Sequence, residues 1–359
     1  MKVSYKGNGL RVYFAPMLQR FESDEPLMLE NGGVLPRLEI AYHTYGQLNA
    51  DASNVVWVCH ALTANADAAD WWNGFVGGNG AIDPGRHFIV CANILGSCYG
   101  SSGPLSVDPS SGSLYYSRFP MVTIRDMVNA HIRLRKHLGI DRIKLLMGGS
   151  MGGYQVLEWA LMEPEVVETL FLIATSAAES AWGISIHEAQ RLAIEADSTW
   201  RDSSPGAGSN GLKAARAIGM LTYRNYAIMC ERQSDPDNSK VDGFKAASYI
   251  RYQGDKLVQR FNAQSYWILS RSMDSHNISR GRGATVEEVL STIRQKTLVI
   301  GIASDLLCPP EEQRKMARGI PGANYVEIDS AFGHDGFLVE AAEISKILVA
   351  WMDGDPGDK

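Results

Sequence analysis

Short apolar runs recur along the first half of the chain and return near its end. Residues 55–59, 87–91, 143–147 and 170–174 are rich in Val, Ile, Leu and Phe, and residues 297–301 and 325–328 repeat the pattern. Apolar runs of about four to eight residues bounded by turn formers predict strands buried on both faces of a sheet. A second periodicity lies between them. Ile124, Met127, Val128, Ile132, Leu134 and Leu138 fall at helical spacing, and Gly139 ends the pattern. Residues 154–162 predict another helix, closed by Glu163-Pro164, and residues 336–352 a final one. Strands alternating with helices predict an α/β fold with a mostly parallel sheet.

Residues 180–283 break this alternation. They hold helical patterns at 186–194, 212–229, 243–253 and 263–273, with polar breaks at 202–206 and 234–238 and no strand-like run. The strand pattern resumes at Thr297. An insertion into one domain explains both facts. The expected organisation is an α/β body of residues 1–179 and 291–359 carrying a helical lid of residues 180–290.

Composition narrows the class. The 359 residues are 45% apolar and 21% charged, the balance of a globular chain with a sizeable core. The net charge of −6 and a basic cluster confined to residues 133–137 argue against a nucleic-acid partner. The sequence has no apolar run of about eighteen residues, so no membrane-spanning helix is expected, and residues 1–7 lack the apolar stretch of a secretion signal. The five cysteines are odd in number and without C-x-x-C spacing, which predicts reduced thiols, no metal site and a cytoplasmic setting.

The strongest chemical signal is Gly148-Gly149-Ser150-Met151-Gly152, a G-x-S-x-G pattern with an apolar strand before it and a helix after it. This is the context of a nucleophile elbow, where glycines permit a tight turn that projects the serine above the sheet. A serine nucleophile needs a base, and the base needs a carboxylate. Asp305 follows the strand pattern at 297–301, and His334 follows that at 325–328, in the chain order nucleophile, acid, histidine. Both stand at carboxyl ends of strands, where open α/β sheets place their sites. Among the other histidines, His131 and His137 sit in a basic helix and are expected to face solvent. His43 is expected before the first core strand, and His60 to position a loop. Asp329 and Asp335 are the rival acids. An oxyanion hole needs two N–H donors, which Met151, after the nucleophile, and Leu62, after the strand at 55–59, are placed to supply. Asn65 and Asp67 read as turn formers, and the glycine-rich residues 96–103 as a structural loop without the Gly-Lys-Ser/Thr ending of a phosphate loop.

Several segments carry a wider resemblance. Cys59-His60-Ala61-Leu62-Thr63, the run from Asn93 to Pro104, Gly148 to Gly153, Leu221-Thr222-Tyr223-Arg224, Ser265 to Arg271, Ser304-Asp305 and His334-Asp335-Gly336-Phe337 resemble the homoserine O-acetyltransferase family, in family order from about residue 35 to residue 340. The resemblance implies an α/β-hydrolase fold and ping-pong transfer of an acetyl group from acetyl-CoA, a substrate rather than a cofactor, to the hydroxyl of L-homoserine, in methionine biosynthesis. It implies Ser150 as acylated nucleophile, His334 as base, Asp305 as its partner, and Arg224 and Asp335 as substrate-binding residues. It also implies a homodimer joined through the lid. A succinyl donor, a serine acceptor or a plain esterase are the alternatives that share the triad.

Overall fold

The computed structural model describes residues 17–78 and 80–354. Eight strands form one sheet: β1 (Gln19–Ser23), β2 (Leu38–Tyr45), β3 (Val55–Cys59), β4 (Phe88–Ala92), β5 (Leu145–Gly149), β6 (Thr169–Ile173), β7 (Lys296–Ile302) and β8 (Asn324–Ile328). Their order across the sheet is β1-β2-β4-β3-β5-β6-β7-β8. The two pairings that involve β2 are antiparallel and all others are parallel. The six runs expected from the sequence are β3 to β8, displaced by at most two residues. The first two strands were not anticipated. His43 therefore lies inside β2, facing Cys91 of β4, rather than ahead of the sheet.

The central strands have no wet face. Every residue of β3 and β5 is buried, as a sheet covered on both sides requires. On one side pack α1 (Ile124–His137) and α2 (Met151–Met162), with Trp57 of β3 meeting Trp159 edge to face at 4.9 Å. Such a pair adds about 0.5–1.5 kcal/mol beyond its burial. The other side is filled by Trp72, Phe75, Phe171 and the C-terminal helix (Ala341–Met352). Thr123 caps α1 through a reciprocal pair: its backbone N–H donates to Asp126 Oδ2 at 2.8 Å, and its hydroxyl accepts the Asp126 N–H. His131 is fully buried between Trp57 and Trp159. The expectation that it faces solvent fails because it lies four residues after Met127, on the apolar stripe. Only His137 of the pair is exposed.

Between β6 and β7 the chain forms α3 (Ala181–Glu195), α4 (Ser209–Tyr223), α5 (Tyr226–Gln233), α6 (Lys245–Val258) and α7 (Ala263–Asp274). α4 packs against both α3 and α6. Asp274 ties α7 to α3, accepting from His187 at 2.8 Å and from Arg191 at 2.6 Å. The helix expected over 212–229 is two helices. It breaks at Arg224, which is extended (φ −115°, ψ 149°), because the Asn225 side chain accepts the Ala227 N–H at 2.6 Å and caps a new start. The final helix is likewise interrupted, at Glu340.

Candidate active site

Ser150 occupies the turn between β5 and α2 with φ 54° and ψ −130°, a conformation that non-glycine residues rarely adopt. Its N–H donates to Ile173 O at 3.1 Å, and its carbonyl accepts the Thr175 hydroxyl at 2.8 Å. These two bonds hold the strain in place. The flanking glycines answer to space. A Cβ on Gly152 would stand 2.2 Å from the Cys59 carbonyl, and one on Gly148 would stand 2.4 Å from the Gly152 backbone. β3, β5 and α2 thus meet too closely at the turn for side chains there.

His334 and Asp305 reach this serine from the ends of β8 and β7. His334 Nε2 lies 2.9 Å from Ser150 Oγ, and His334 Nδ1 lies 2.7 Å from Asp305 Oδ2. The other carboxylate oxygen accepts the Leu307 and Cys308 N–H groups at 2.8 and 2.9 Å. Asp305 is thereby fixed as an acceptor facing Nδ1, with Nε2 turned to Ser150 Oγ. Both side chains are buried. Burial pulls the His334 imidazole toward lower pKa, but the charge of Asp305, its hydrogen bond and the charge of Asp335 outweigh it and hold the ring above its ordinary 6.5. Ser304 steadies the histidine loop by accepting the Gly333 N–H at 3.0 Å. The ring of Tyr223 packs 5.8 Å from the imidazole, and that of Phe337 5.5 Å from it.

Pairing of Cys59 with Gly148 sets the loop after β3 beside the elbow. Residues Ala61–Ala64 close a turn there, with the Ala64 N–H donating to Ala61 O at 3.0 Å. The same carbonyl receives His60 Nδ1 at 2.8 Å, while His60 Nε2 accepts the Ile94 N–H at 3.1 Å. A ring that donates at Nδ1 and accepts at Nε2 is neutral, and complete burial lowers its pKa to about 4. The peptide plane is trans, so holding the Ala61 carbonyl on one side aims the Leu62 N–H to the other. Among the described residues the Leu62 N–H has no hydrogen-bond partner. Met151 supplies the first N–H of α2, one of those a helix leaves without an internal acceptor. Asn65 behaves as a turn former, its side chain accepting the Asp67 N–H at 2.8 Å.

A cavity of about 450 Å³ opens onto Ser150 and His334. Asp335 lines it. Arg224 stands behind Asp335, with Nη1 at 3.1 Å from Oδ2. Burial raises the Asp335 carboxyl above its usual range, and the charges of Arg224, His334 and Arg216 work against that rise. Arg216, Lys256 and Arg260 also line the cavity, and sequence reasoning did not find them. No local sequence motif marks them, since Arg216 and Lys256 lie on separate helices and Arg260 in the connection that follows α6. Among the described residues no cluster of His, Cys, Asp and Glu has the form of a metal site, and no helix is long and apolar enough to cross a membrane.

A strained serine after a central strand, linked by hydrogen bonds to a histidine and an aspartate that follow later strands, is the arrangement of an α/β-hydrolase site. Residues 54–341 match the family model for the alpha/beta hydrolase fold. Curated relatives named homoserine O-acetyltransferase include one from Cyclobacterium marinum, 48% identical over 91% of this chain and 93% of its own. Another, from Chlorobaculum tepidum, is 48% identical over 92% and 93%. The crystal structure of homoserine O-acetyltransferase from Bacillus anthracis superposes with a TM-score of 0.86 at 24% identity, covering 94% of this chain and 97% of that one, a likeness of fold. The chain belongs to the α/β-hydrolase fold family and, within it, to the homoserine O-acetyltransferase family.

Proposed function

We propose that the protein transfers the acetyl group of acetyl-CoA to the hydroxyl of L-homoserine through an acyl-Ser150 intermediate. The observation that carries the reading is the continuous relay from Asp305 through His334 to Ser150, opening on a cavity that also holds Asp335. Kinship at 48% identity with curated homoserine O-acetyltransferases supports the choice of donor and acceptor.

In the first half-reaction Ser150 Oγ attacks the thioester carbonyl as its proton passes to His334 Nε2. The developing oxyanion lies against the Leu62 and Met151 N–H groups, a contact that typically supplies about 3–4 kcal/mol per donor. Collapse breaks the C–S bond, and the thiolate takes the proton from His334. In the second half-reaction the homoserine hydroxyl attacks the acyl carbon and gives its proton to the same nitrogen. Collapse then returns that proton to Ser150 Oγ and releases O-acetylhomoserine.

The acceptor is a zwitterion, and Asp335 on the cavity wall with Arg224 paired behind it gives one partner for each charge. Asp335 receives the ammonium group, and Arg224 the carboxylate in a two-pronged hydrogen bond. Binding exchanges one internal ion pair for two across the ligand, so neither protein charge is left without a partner. Held there, the hydroxyl competes with water for the acyl-enzyme by proximity. The donor carries several phosphates, and Arg216 and Lys256 give the cavity a matching positive wall. The helical segment of residues 180–290 acts as the lid. Exposed Trp182, Leu192, Leu221 and Tyr226 on it favour its use as a homodimer contact. The same proposal places the enzyme in the cytoplasm.

The test is release of CoA from acetyl-CoA with and without L-homoserine, with succinyl-CoA and L-serine in parallel and product identified by mass. Homoserine-dependent consumption of acetyl-CoA is the expected result. Preference for succinyl-CoA or serine overturns the substrate assignment. Consumption that ignores any acceptor makes the protein a hydrolase.

A further inference from the structure

Arg260 belongs to the connection between α6 and α7, yet its side chain leaves the helical segment. It donates through Nη1 to the Thr63 carbonyl and, at 2.7 Å, to the Tyr99 hydroxyl, while Nη2 stands 3.4 Å from the Thr63 hydroxyl. Tyr99 in turn directs its own proton toward the Thr63 carbonyl at 3.5 Å. Its ring meets Phe261 at 5.7 Å, and Cys98 Sγ approaches the Arg260 carbonyl at 3.6 Å. The connection is thus seated on two loops of the body at once, the turn after β3 and the glycine-rich loop after β4.

Thr63 belongs to the turn that aims Leu62. The Thr63 carbonyl and the Ala64 N–H share one planar trans peptide, so they point in opposite directions. Arg260 draws the carbonyl outward, and the Ala64 N–H on the other side donates to Ala61 O at 3.0 Å. The Ala61 carbonyl and the Leu62 N–H share the next rigid plane but one. Fixing that carbonyl fixes the opposite direction of the Leu62 N–H, and Leu62 and Ser150 line the same cavity. On the body side the turn is held at its entry by His60 Nδ1 and beyond its exit by Asn93, whose Oδ1 accepts the Ala66 N–H at 2.8 Å. The middle of the turn is held from the helical segment by Arg260.

We propose that Arg260 is a positioning residue of the oxyanion hole, acting through Thr63, Ala64 and Ala61 on the aim of the Leu62 N–H. The hole is then complete only while the α6–α7 connection is seated on the turn. Seating of the helical segment and competence for acyl transfer become one event. The inference rests on the reading that Ser150 is acylated, and it is independent of which thiol leaves or which alcohol accepts.

The experiment uses two acyl donors. One is acetyl-CoA. The other is p-nitrophenyl acetate, which needs the nucleophile and the oxyanion hole but carries no phosphate. Pre-steady-state acylation by R260A is expected to be about 10- to 100-fold slower with both donors, less than the roughly 10²- to 10³-fold loss that follows outright removal of one oxyanion donor. The homoserine KM is expected to stay within about twofold of wild type. R260K, which keeps a donating cation but not the planar fork, is expected to recover part of the rate. Y99F should lose about threefold, and the R260A/Y99F double variant should be no slower than R260A, as members of one clasp.

An R260A rate on p-nitrophenyl acetate equal to wild type overturns the proposal. So does a defect confined to the acetyl-CoA KM, which makes Arg260 a phosphate ligand. If R260A does not fold, wild-type rates in both Y99F and R260K overturn it. Failure of the underlying reading shows separately, as ester turnover that survives Ser150→Ala.

Discussion

Arg224 and Asp335 close on each other at 3.1 Å, a cation from the break between α4 and α5 against a carboxylate one residue past His334. The pair carries the two charges that a zwitterionic amino acid would meet, and it lies beside the imidazole that would take the acceptor's proton. Arg224→Ala leaves Asp335 buried without its cation, so the carboxyl rises further and tends to neutrality. The expected result is a homoserine KM raised about 10- to 100-fold, the equivalent of one or two charge-assisted hydrogen bonds. The rate of acylation by acetyl-CoA should change far less. Separate measurement of the two half-reactions checks this, and an equal fall in both would remove the assignment.

Ser150→Ala removes the atom to be acylated. Incubation of the wild-type protein with acetyl-CoA alone should add one acetyl group per chain, visible by intact mass, and Ser150→Ala should add none. Asp305→Asn keeps the shape but reverses the hydrogen bond to Nδ1, which favours the wrong imidazole tautomer. Its turnover is expected to fall by about 10⁴.

The pH dependence follows from the raised pKa of His334. The base is active when neutral, and it loses its proton only as pH rises through a value above the ordinary 6.5. The acid limb of kcat/KM is therefore expected above pH 6.5, because that profile reports the free enzyme's base. Substituting Asp305 removes the leading cause of the rise, so the residual activity should carry its limb to lower pH. A limb unmoved by Asp305→Asn would assign the titration to another group.

Stability should respond to acid in the opposite sense from His334. Burial lowers His60 to about 4, and His131 and His276 to about 3, against 6.5 in an unfolded chain. A depressed histidine stays neutral in the native state while the unfolded chain takes up protons below pH 6.5, so stability falls as pH drops through that value. Each such group is worth about 2 kcal/mol between pH 7 and pH 5, at about 1.4 kcal/mol per unit. His334, raised in the native state, offsets part of this. Thermal melts should show a lower Tm at pH 5 than at pH 7. His131→Phe, which fills the space between Trp57 and Trp159 without a titrating group, should narrow the difference.

The central sheet and the triad were legible because each depends on local pattern. Strands buried on both faces announce themselves as apolar runs; Ser150 follows such a run directly, and Asp305 and His334 stand three and six residues beyond one. β1 and β2 lack that signal. Gln19–Ser23 alternates half-buried and exposed positions, and β2 carries Glu39, His43 and Thr44 among its apolar residues. His131 was misread because Arg133, Lys136 and His137 surround it in sequence, although Arg135 nearby is also buried, paired with Glu163 at 2.9 Å. Arg216, Lys256 and Arg260 reach the cavity only through the packing of α4 and α6, and no local motif records that. The kink at Arg224 was within reach of the sequence, since Asn225 is a good helix cap.

The helical segment leaves the sheet after Ile173 and returns at Lys296, on two strands that are hydrogen-bonded neighbours, and the Ala178–Asn277 bridge draws its ends together. Its departure and return therefore occupy adjoining places on the scaffold. A segment attached in this way can be lengthened, shortened or replaced over generations while the strand register and the reacting atoms keep their positions. Heritable change in what the site accepts is channelled into one loop of chain, and the chemistry beneath it is inherited unchanged wherever the seat of Arg260 on the Thr63 turn is kept.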